Sequence, residues 1–235
     1  MVAIEDRMMY MKKTIYHGSK NIVENPVFGQ GKKTNDYGLG FYCTEDLNLA
    51  KEWAVDYERD GYANCYEINC DGLRILDLNS REYCVLHWLA ILLKNRSFEI
   101  KSALGAEAKE YILKHFSIDY ENYDIIVGYR ADDSYFSFAQ DFVSGIISYR
   151  QLNRALYLGE LGQQFVLKSE KAFERLHFVE ANAAQYELWY ARKELRDRTA
   201  RRDYLDLERN RREKGDIYMM QIMDEEMKAD DLRLR

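Results

Sequence analysis

Two short motifs near the beginning of the chain carry side chains that could bind a flat aromatic ring. Residues 16–19 read Tyr-His-Gly-Ser and place the imidazole of His17 beside a glycine. Residues 37–44 read Tyr-Gly-Leu-Gly-Phe-Tyr-Cys-Thr and place Tyr42 after a turn that contains two glycines. An imidazole, a glycine backbone and a tyrosine ring could together hold the nicotinamide end of NAD. The pair of motifs therefore predicts such a site.

A third aromatic residue, Trp53, follows on the next predicted helix. If a strand presents Tyr42 and the helix returns Trp53 on its inner face, the two rings can clamp a flat ring between them. Such stacking contributes about 0.5–1.5 kcal/mol beyond the buried area, and cation–π attraction to a cationic nicotinamide would add a similar amount. The alternative is core packing, because large aromatic side chains are usually buried.

These residues need a particular set of elements around them. Lys13–His17 is rich in strand-forming residues and predicts a short strand. The segment 20–38 is polar and contains the only proline of the chain, so it predicts a long loop. A second strand is predicted at Gly40–Thr44 and a helix at Leu47–Tyr57. The second strand would present Tyr42, and the helix would return Trp53 on its inner face.

The rest of the first 180 residues mixes strands and helices without regular alternation, and this predicts an α+β fold. Further strands are predicted at Cys65–Asn69, Leu73–Leu78, Asp124–Tyr129 and Gln164–Lys168, and helices at Arg81–Lys94, Ala103–His115, Ser134–Ser144 and Ser148–Tyr157.

The composition changes near residue 180, and this predicts a domain of residues 1–180 and an extension of residues 181–235. Apolar residues recur at helical spacing in the extension, and residues 192–214 contain 10 basic and 6 acidic residues. This pattern predicts a long, charged amphipathic helix that breaks at Gly215. The extension could pack back on the domain, associate with another copy or bind a protein partner. Contact with RNA is less favoured, because the interleaved acidic residues weaken the positive field.

Composition argues against several classes of protein. The formal net charge of −6 opposes an electrostatic grip on nucleic acid along the whole chain. No run of about 18 apolar residues is present, so no membrane segment is predicted and the expected location is the cytoplasm. The four cysteines lack paired spacing, which predicts buried thiols and no metal site. No P-loop or Rossmann-type glycine motif leads into a helix.

The two motifs and Trp53 resemble the ADP-ribosyltransferase fold, specifically its His-Tyr-Glu branch, which contains the diphtheria-toxin-like and poly(ADP-ribose)-polymerase-like enzymes. Residues 16–19 match the first motif, residues 40–44 match the second, and Trp53 lies at the family's interval after the motif tyrosine. The third motif is an acidic residue that opens a late strand, and here it corresponds to Gln164. The resemblance covers about residues 13–180. The chain as a whole looks most like a DUF3990-like bacterial family related to these transferases, in which glutamine is also usual at this position.

The resemblance implies a split β-sandwich with peripheral helices and the long C-terminal helical extension. It implies that the backbone of Gly18 binds the nicotinamide carboxamide and that Ser19 helps to hold the amide. His17 would donate a hydrogen bond to the adenosine-side ribose, while Tyr42 and Trp53 would stack on the nicotinamide ring. NAD would be the substrate, and no metal is implied.

Gln164 departs from the branch in a way that bears on catalysis. In the family, a glutamate binds the ribose 2′-hydroxyl and stabilises the oxocarbenium-like ribose that forms as nicotinamide leaves. Gln164 can keep the hydrogen bond but supplies no charge, and loss of one such contact commonly costs ~2.7–4 kcal/mol in the transition state. Gly162 removes the acidic partner that arginine-specific relatives carry. Asp132, Asp133 or Glu160 could supply a compensating carboxylate.

Two functions from different classes follow from the resemblance. The first is an NAD-dependent mono-ADP-ribosyltransferase that modifies a macromolecular acceptor, for example as a bacterial toxin or an anti-phage effector. His17, Tyr42 and Gln164 would then be its catalytic residues. The second is a catalytically weak module that binds NAD or ADP-ribose and acts through interaction with a partner.

Overall fold

The computed structural model describes residues 12–100, 102–131, 133–158, 162–208 and 212–234, with the backbone alone described at 133–135 and 207–208. Strands in these residues form two sheets. The strands are β1 (Lys12–Ser19), β2 (Phe41–Cys43), β3 (Gly61–Asn69), β4 (Ile75–Asp77), β5 (Ile125–Tyr129), β6 (Gln163–Leu167) and β7 (Leu176–Ala184).

The two sheets touch at one backbone bridge. The first sheet is antiparallel and has the order β1-β3-β7. The second has the order β2-β6-β5-β4 and is antiparallel except for the β4–β5 pair. Tyr16 and Thr44 exchange backbone hydrogen bonds of 2.7 and 2.9 Å in an isolated bridge between β1 and β2. Beyond this bridge the two strands are no longer paired, and a gap opens between the sheets.

Side chains of the four-stranded sheet contribute alternately to two cores. Phe165 of β6 belongs to a cluster shared with Ile15 and Tyr66 of the three-stranded sheet, so this core lies between the sheets. Its neighbour Val166 and Ile126 of β5 belong to the larger core on the other face, together with the helices. This alternation is the two-residue period of a strand.

Helices cover the outer face of the four-stranded sheet, and the predicted α+β class is confirmed. Residues 85–93 of the second helix are all buried, so it forms the centre of the larger core.

No helix in the described part of the chain is both long and apolar enough to cross a membrane. The helices are α1 (Leu47–Ala54), α2 (Val85–Asn95), α3 (Ala103–His115), α4 (Asp133–Val143), α5 (Tyr149–Ala155), α6 (Glu170–Glu174), α7 (Tyr186–Asp203) and α8 (Met219–Asp224).

The cap of α1 fixes where this helix starts beside the second motif. The Asp46 carboxylate accepts from the backbone N–H groups of Asn48 and Leu49 at 2.7 and 3.2 Å, which satisfies two donors that the helix itself leaves free. The helix ends at Ala54 rather than at the predicted Tyr57, because the chain becomes extended at Val55. Although α1 is shorter than predicted, it still includes Trp53.

The C-terminal segments pack back on the rest of the protein. Trp189 of α7 is buried in a small cluster with the end of α1 and the end of β7. Tyr204 stacks on Phe138 of α4 with ring centroids 3.8 Å apart. Further along, Met219 and Ile222 of α8 are buried in the larger core.

Some predicted element bounds differ from the structure in this region. Residue 180 lies inside β7, which continues to Ala184. Neither this strand nor the short α6 is among the elements predicted from the sequence. Along β7, the alternation of inward and outward positions is interrupted after Val179, where the register with β3 shifts. The predicted long helix ends at Asp203 and is followed by a π-helical turn over Tyr204–Glu208. The break at Gly215 has a φ of +90°, which favours glycine.

Candidate functional site

Five of the six site residues selected from the sequence line one cleft of about 940 Å³. The sixth, Ser19, is not part of its wall. The Ser19 hydroxyl donates to the carbonyl of Asn21 at 2.6 Å and accepts from the amide of Asn64 at 3.1 Å. Ser19 therefore fixes the turn after β1, and the cleft is built without it. The five lining residues are His17, Gly18, Tyr42, Trp53 and Gln164.

His17 is held by the strand that carries the second motif. Its Nδ1 lies 2.8 Å from the carbonyl oxygen of Tyr42, and its ring packs on Phe41 with centroids 4.3 Å apart. Burial lowers the pKa of this imidazole, although the hydrogen bond to Tyr42 acts in the opposite direction. The ring is therefore neutral at pH 7. Because a carbonyl oxygen only accepts, Nδ1 carries the proton and Nε2 is left as an acceptor.

Gly18 lies where β1 passes very close to α1. A Cβ atom at this position would lie 2.2 Å from the carbonyl oxygen of Ala50 and 2.8 Å from Cβ of Trp53. Atoms that are not bonded to each other do not approach so closely, so only glycine fits here. From the sequence, this glycine is expected to allow the close approach of a ligand. In the structure, the backbone of α1 already requires it.

The backbone N–H and C=O of Gly18 point toward the gap between the sheets. In an antiparallel ladder these two groups of a residue point to the same side, and the side alternates along the strand. Tyr16 directs both groups to Thr44, so Gly18, two residues later, directs its own to the same side. Within the described ranges, no backbone hydrogen bond joins Gly18 to β2. These two groups are thus left for a ligand.

Tyr42 forms a fixed side of the cleft. Its hydroxyl donates to the carbonyl of Gly38 at 2.6 Å and accepts from the N–H of Tyr37 at 3.0 Å. The ammonium of Lys168 donates to the carbonyls of Tyr37 and Leu39, each at 2.7 Å. Burial raises the pKa of the Tyr42 phenol far above its ordinary value, so it stays protonated. Because the hydroxyl is already engaged, only the ring is offered to a ligand.

Gln164 lies on the same face of the sheet as Tyr42. Tyr42 is paired with Val166, and residues two apart on a strand share a face. Gln164 is 7% exposed, and its Oε1 is buried with no hydrogen-bond partner among the described residues. An unsatisfied buried acceptor costs about 1–3 kcal/mol. The arrangement is suited to a ligand that brings a donor to this oxygen.

Trp53 is covered on one face by a residue that the sequence analysis did not select. The guanidinium carbon of Arg130 lies 4.7 Å from the centroid of the indole, and both residues line the cleft. The indole Nε1 is buried, and no hydrogen-bond partner for it lies within the described ranges. The guanidinium of Arg130 therefore lies over the face of the indole, in the kind of stacked position that a nicotinamide ring would take.

Two ion pairs hold the sides of the cleft. The buried Asp36 carboxylate accepts from Arg96 at 2.8 Å and from the N–H of Ala131 at 2.9 Å. Burial raises the pKa of Asp36 and is opposed by these two neighbours. On the other side, Glu52 of α1 accepts from Arg196 of α7 at 2.9 Å. This second pair fixes α7 against the helix that carries Trp53.

The sequence indicates that this segment could pack back on the domain, but it does not predict that α7 lines the cleft. One feature of the sequence could have indicated that another element packs against α1 here. Glu52 lies next to Trp53 on the inner side of a short helix, and a buried carboxylate needs a charged partner. That partner is Arg196, and its helix becomes a wall of the site. The α7 residues in this wall are Lys193, Glu194, Arg196, Asp197 and Arg201.

The carboxylates proposed to compensate for Gln164 are not placed by the structure. Asp132 and Glu160 lie outside the described residues, as does the side chain of Asp133. Gly162 is described and has a φ of +65°, and a Cβ there would lie 2.9 Å from Cδ2 of Leu49. The glycine at this position is therefore explained by local backbone and packing.

Among the described residues, the cysteines and the potential metal ligands form no second site. The four cysteines, Cys43, Cys65, Cys70 and Cys84, are buried free thiols, as predicted. Burial raises the pKa of the Cys43 thiol well above its ordinary value, and a buried thiol of this kind is a poor nucleophile. In the described part of the chain, no three His, Cys, Asp or Glu side chains converge as metal ligands.

Comparison with known proteins places the chain in a family. No curated protein and no solved structure matches it. A family profile described as "Protein of unknown function (DUF3990)" matches residues 13–178. The matched segment runs from β1 into β7 and includes all the cleft residues selected from the sequence, while α7 lies beyond it. Because the match covers more than half of the chain, this protein belongs to the DUF3990 family.

Proposed function

We propose that this protein is an NAD-dependent mono-ADP-ribosyltransferase that modifies a macromolecular acceptor. The observation that carries the proposal is the single cleft in which His17, Tyr42, Trp53 and Gln164 meet beside the free backbone groups of Gly18. In the reaction, the bond between nicotinamide and ribose C1′ breaks, and a nucleophile of the acceptor bonds to C1′. Nicotinamide leaves with the bond electrons, and the acceptor loses its proton.

The arrangement of the sheets supports this proposal. The two sheets touch at the Tyr16–Thr44 bridge and share a core, and their first strands separate beyond it. Two sheets that share a core and separate on one side are what a split β-sandwich would require, so this arrangement supports the proposal. The cleft is lined by residues from both strands just beyond the bridge, His17 and Gly18 on one and Phe41 and Tyr42 on the other.

Gly18 offers groups that complement the nicotinamide carboxamide. The N–H of Gly18 would donate to the carboxamide oxygen, and its C=O would accept from the carboxamide NH₂. Both groups point into the gap, and no described backbone group of β2 pairs with them. A rigid backbone pair of this kind binds an amide at little entropic cost, because the strand is already ordered.

His17 offers an acceptor to the ribose of the adenosine half. Its Nδ1–H is used by the Tyr42 carbonyl, and its neutral Nε2 is free to accept. A ribose hydroxyl would therefore donate to His17. This is the reverse of the direction that the resemblance implies, and it follows from the tautomer that the Tyr42 carbonyl selects.

Gln164 would accept from the ribose 2′-hydroxyl with its amide oxygen, which has no partner in the part of the chain that the structure describes. The hydrogen bond orients the ribose, but a neutral amide stabilises the developing positive charge much less than a carboxylate does. We therefore expect slow transfer of single ADP-ribose groups and no efficient extension into a polymer.

A second candidate is a module that binds NAD or ADP-ribose with little turnover. Two observations favour it: Gln164 brings no charge to the reacting carbon, and the guanidinium of Arg130 covers the indole of Trp53. A nicotinamide ring that stacks on this face of the indole must first displace Arg130. In this case, the partner would recognise the nucleotide-bound form.

Incubation of the protein and a cell lysate with NAD that is labelled in the adenylate phosphate separates the two candidates. The transferase should attach the label covalently to a macromolecule and release an equal amount of nicotinamide. The Gln164→Ala variant, which lacks the acceptor for the 2′-hydroxyl, should attach at least about ten-fold less label. Saturable binding of NAD without release of nicotinamide would contradict the transferase and leave the binding module.

A further inference from the structure

We propose that α7 supplies a phosphate-binding subsite of the cleft, in which Lys193, together with Lys32 of the long loop, binds the pyrophosphate of the dinucleotide. This inference rests on the proposed function, since it names the groups that hold the middle of the same substrate. It assigns a role to a helix that lies beyond the segment matched by the family profile.

The position of α7 beside the cleft is fixed by contacts at several points. The Glu52–Arg196 pair of 2.9 Å joins it to α1, and the carboxylate of this pair is almost fully buried. Trp189 packs in the cluster at the end of α1. The ammonium of Lys193 lies 3.3 Å from the carbonyl oxygen of Val55, the residue that directly follows α1. These contacts hold α7, and with it Lys193, at the side of the cleft.

The charge of the cleft is opposite in sign to that of the protein. The chain as a whole has a formal net charge of −6, but the described wall of the cleft has more cationic than anionic side chains. A local excess of cations in a cleft attracts an anionic ligand and raises its local concentration. The cationic side chains are Lys32, Arg96, Arg130, Lys193, Arg196 and Arg201, and the anionic ones are Asp36, Glu52, Glu194 and Asp197.

Three of the arginines in this wall already have carboxylate partners. Arg96 pairs with Asp36 at 2.8 Å, Arg196 pairs with Glu52 at 2.9 Å, and Arg201 pairs with Asp197 at 3.0 Å. The two lysines of the wall, Lys32 and Lys193, differ from these arginines in their partners.

Lys193 contacts a neutral carbonyl, and Lys32 is solvent-exposed. Within the ranges that the structure describes, neither lysine forms an ion pair with a carboxylate. A phosphate would give each of these ammonium groups a charged partner.

The elements next to the cleft offer few other groups for a phosphate. Phosphates often bind at the N-terminus of a helix, where backbone N–H groups are free. At α1, the Asp46 carboxylate already accepts from these groups, and its charge would repel a phosphate. The sequence also has no glycine-rich loop that leads into a helix in the phosphate-binding manner. The two lysines therefore offer suitable groups for a pyrophosphate on this side of the cleft.

Calorimetric titration of two ligands tests the subsite. NAD carries the pyrophosphate, and nicotinamide riboside carries the same nicotinamide and ribose without any phosphate. The Lys193→Ala variant should bind NAD at least about ten-fold more weakly than the wild type, the loss expected for one charge-assisted hydrogen bond, and should bind nicotinamide riboside unchanged. Lys193→Arg should retain most of the NAD affinity.

Arg198→Ala is the matched control. Arg198 is an exposed cation on the same helix that does not line the cleft, so its loss should leave both affinities unchanged. Equal NAD affinity in Lys193→Ala and the wild type would overturn the subsite, and so would an equal loss for both ligands, which would indicate general damage to the wall. If both ligands bind and Lys193 has no effect, only this inference fails. If the wild type binds neither ligand, the proposed function fails with it.

Discussion

Replacing Gln164 with glutamate is expected to raise the rate of nicotinamide release from NAD by about 100- to 1,000-fold. A carboxylate at this position would stabilise the positive charge that develops on the ribose as nicotinamide leaves. The native amide offers a hydrogen bond but no charge. One preorganised contact of this kind is worth about 2.7–4 kcal/mol in the transition state. The side chain is buried and lines the cleft, so water would screen the new charge only weakly.

The pH dependence of this variant provides a second readout. Burial disfavours the ionised form of a carboxyl group and raises its pKa. Because only the carboxylate stabilises the ribose cation, the rate should increase as the pH rises through the pKa of the new group. The wild-type amide does not titrate and should lack this step.

Gln163→Glu is the control for this prediction. It adds the same charge one residue earlier, at an exposed position on the opposite face of β6, and should leave the rate of nicotinamide release unchanged. An equal increase in both variants would show a general effect of negative charge. If Gln164→Glu still binds NAD but does not accelerate release, Gln164 does not lie beside the reacting ribose.

Gly18→Ala should lower the free energy of unfolding by about 3 kcal/mol or more, at the upper end of the cost of overpacking. The new methyl group would lie 2.2 Å from the carbonyl oxygen of Ala50 and 2.9 Å from the backbone nitrogen of Ala54. Backbone atoms of a helix cannot give way as the end of a flexible side chain can. Either β1 or α1 must shift, and both carry residues of the cleft. Urea denaturation of the variant and the wild type measures the effect.

Gly72→Ala separates this clash from the general cost of replacing a glycine. Gly72 has a φ of +70° and no atom within 4 Å of an added Cβ. Its replacement should cost only about 1–2 kcal/mol, from the left-handed backbone conformation. If Gly18→Ala unfolds at the same urea concentration as the wild type, the close approach of β1 to α1 described here is wrong.

The motif residues could be predicted from the sequence because local elements bring them together. His17 and Tyr42 end up adjacent because each strand continues directly from the Tyr16–Thr44 bridge. Trp53 joins them because the Asp46 cap starts α1 just after β2 and so sets the orientation of the helix. These are short-range relations of spacing and capping, and a sequence pattern contains them.

The remainder of the cleft depends on contacts between distant parts of the chain. Arg196 reaches Glu52 across 144 positions of sequence. The charges of α7 are interleaved around the helix, so its sequence does not show which side faces the cleft. Arg130 follows β5 without a motif, and only the folded structure places it on the indole of Trp53. Ser19 is the opposite case: it belongs to a motif, but its side chain stabilises a turn and does not line the cleft.

The central claim is that this cleft binds NAD by its nicotinamide end, and calorimetric titration of NAD into the wild type and the His17→Ala variant tests it most directly. His177→Ala, which removes an exposed histidine of β7, is the control. We expect saturable binding of NAD by the wild type and the control, and binding at least about ten-fold weaker in His17→Ala, because the ribose loses its acceptor. Equal affinity in His17→Ala and the wild type would contradict the assignment of the site.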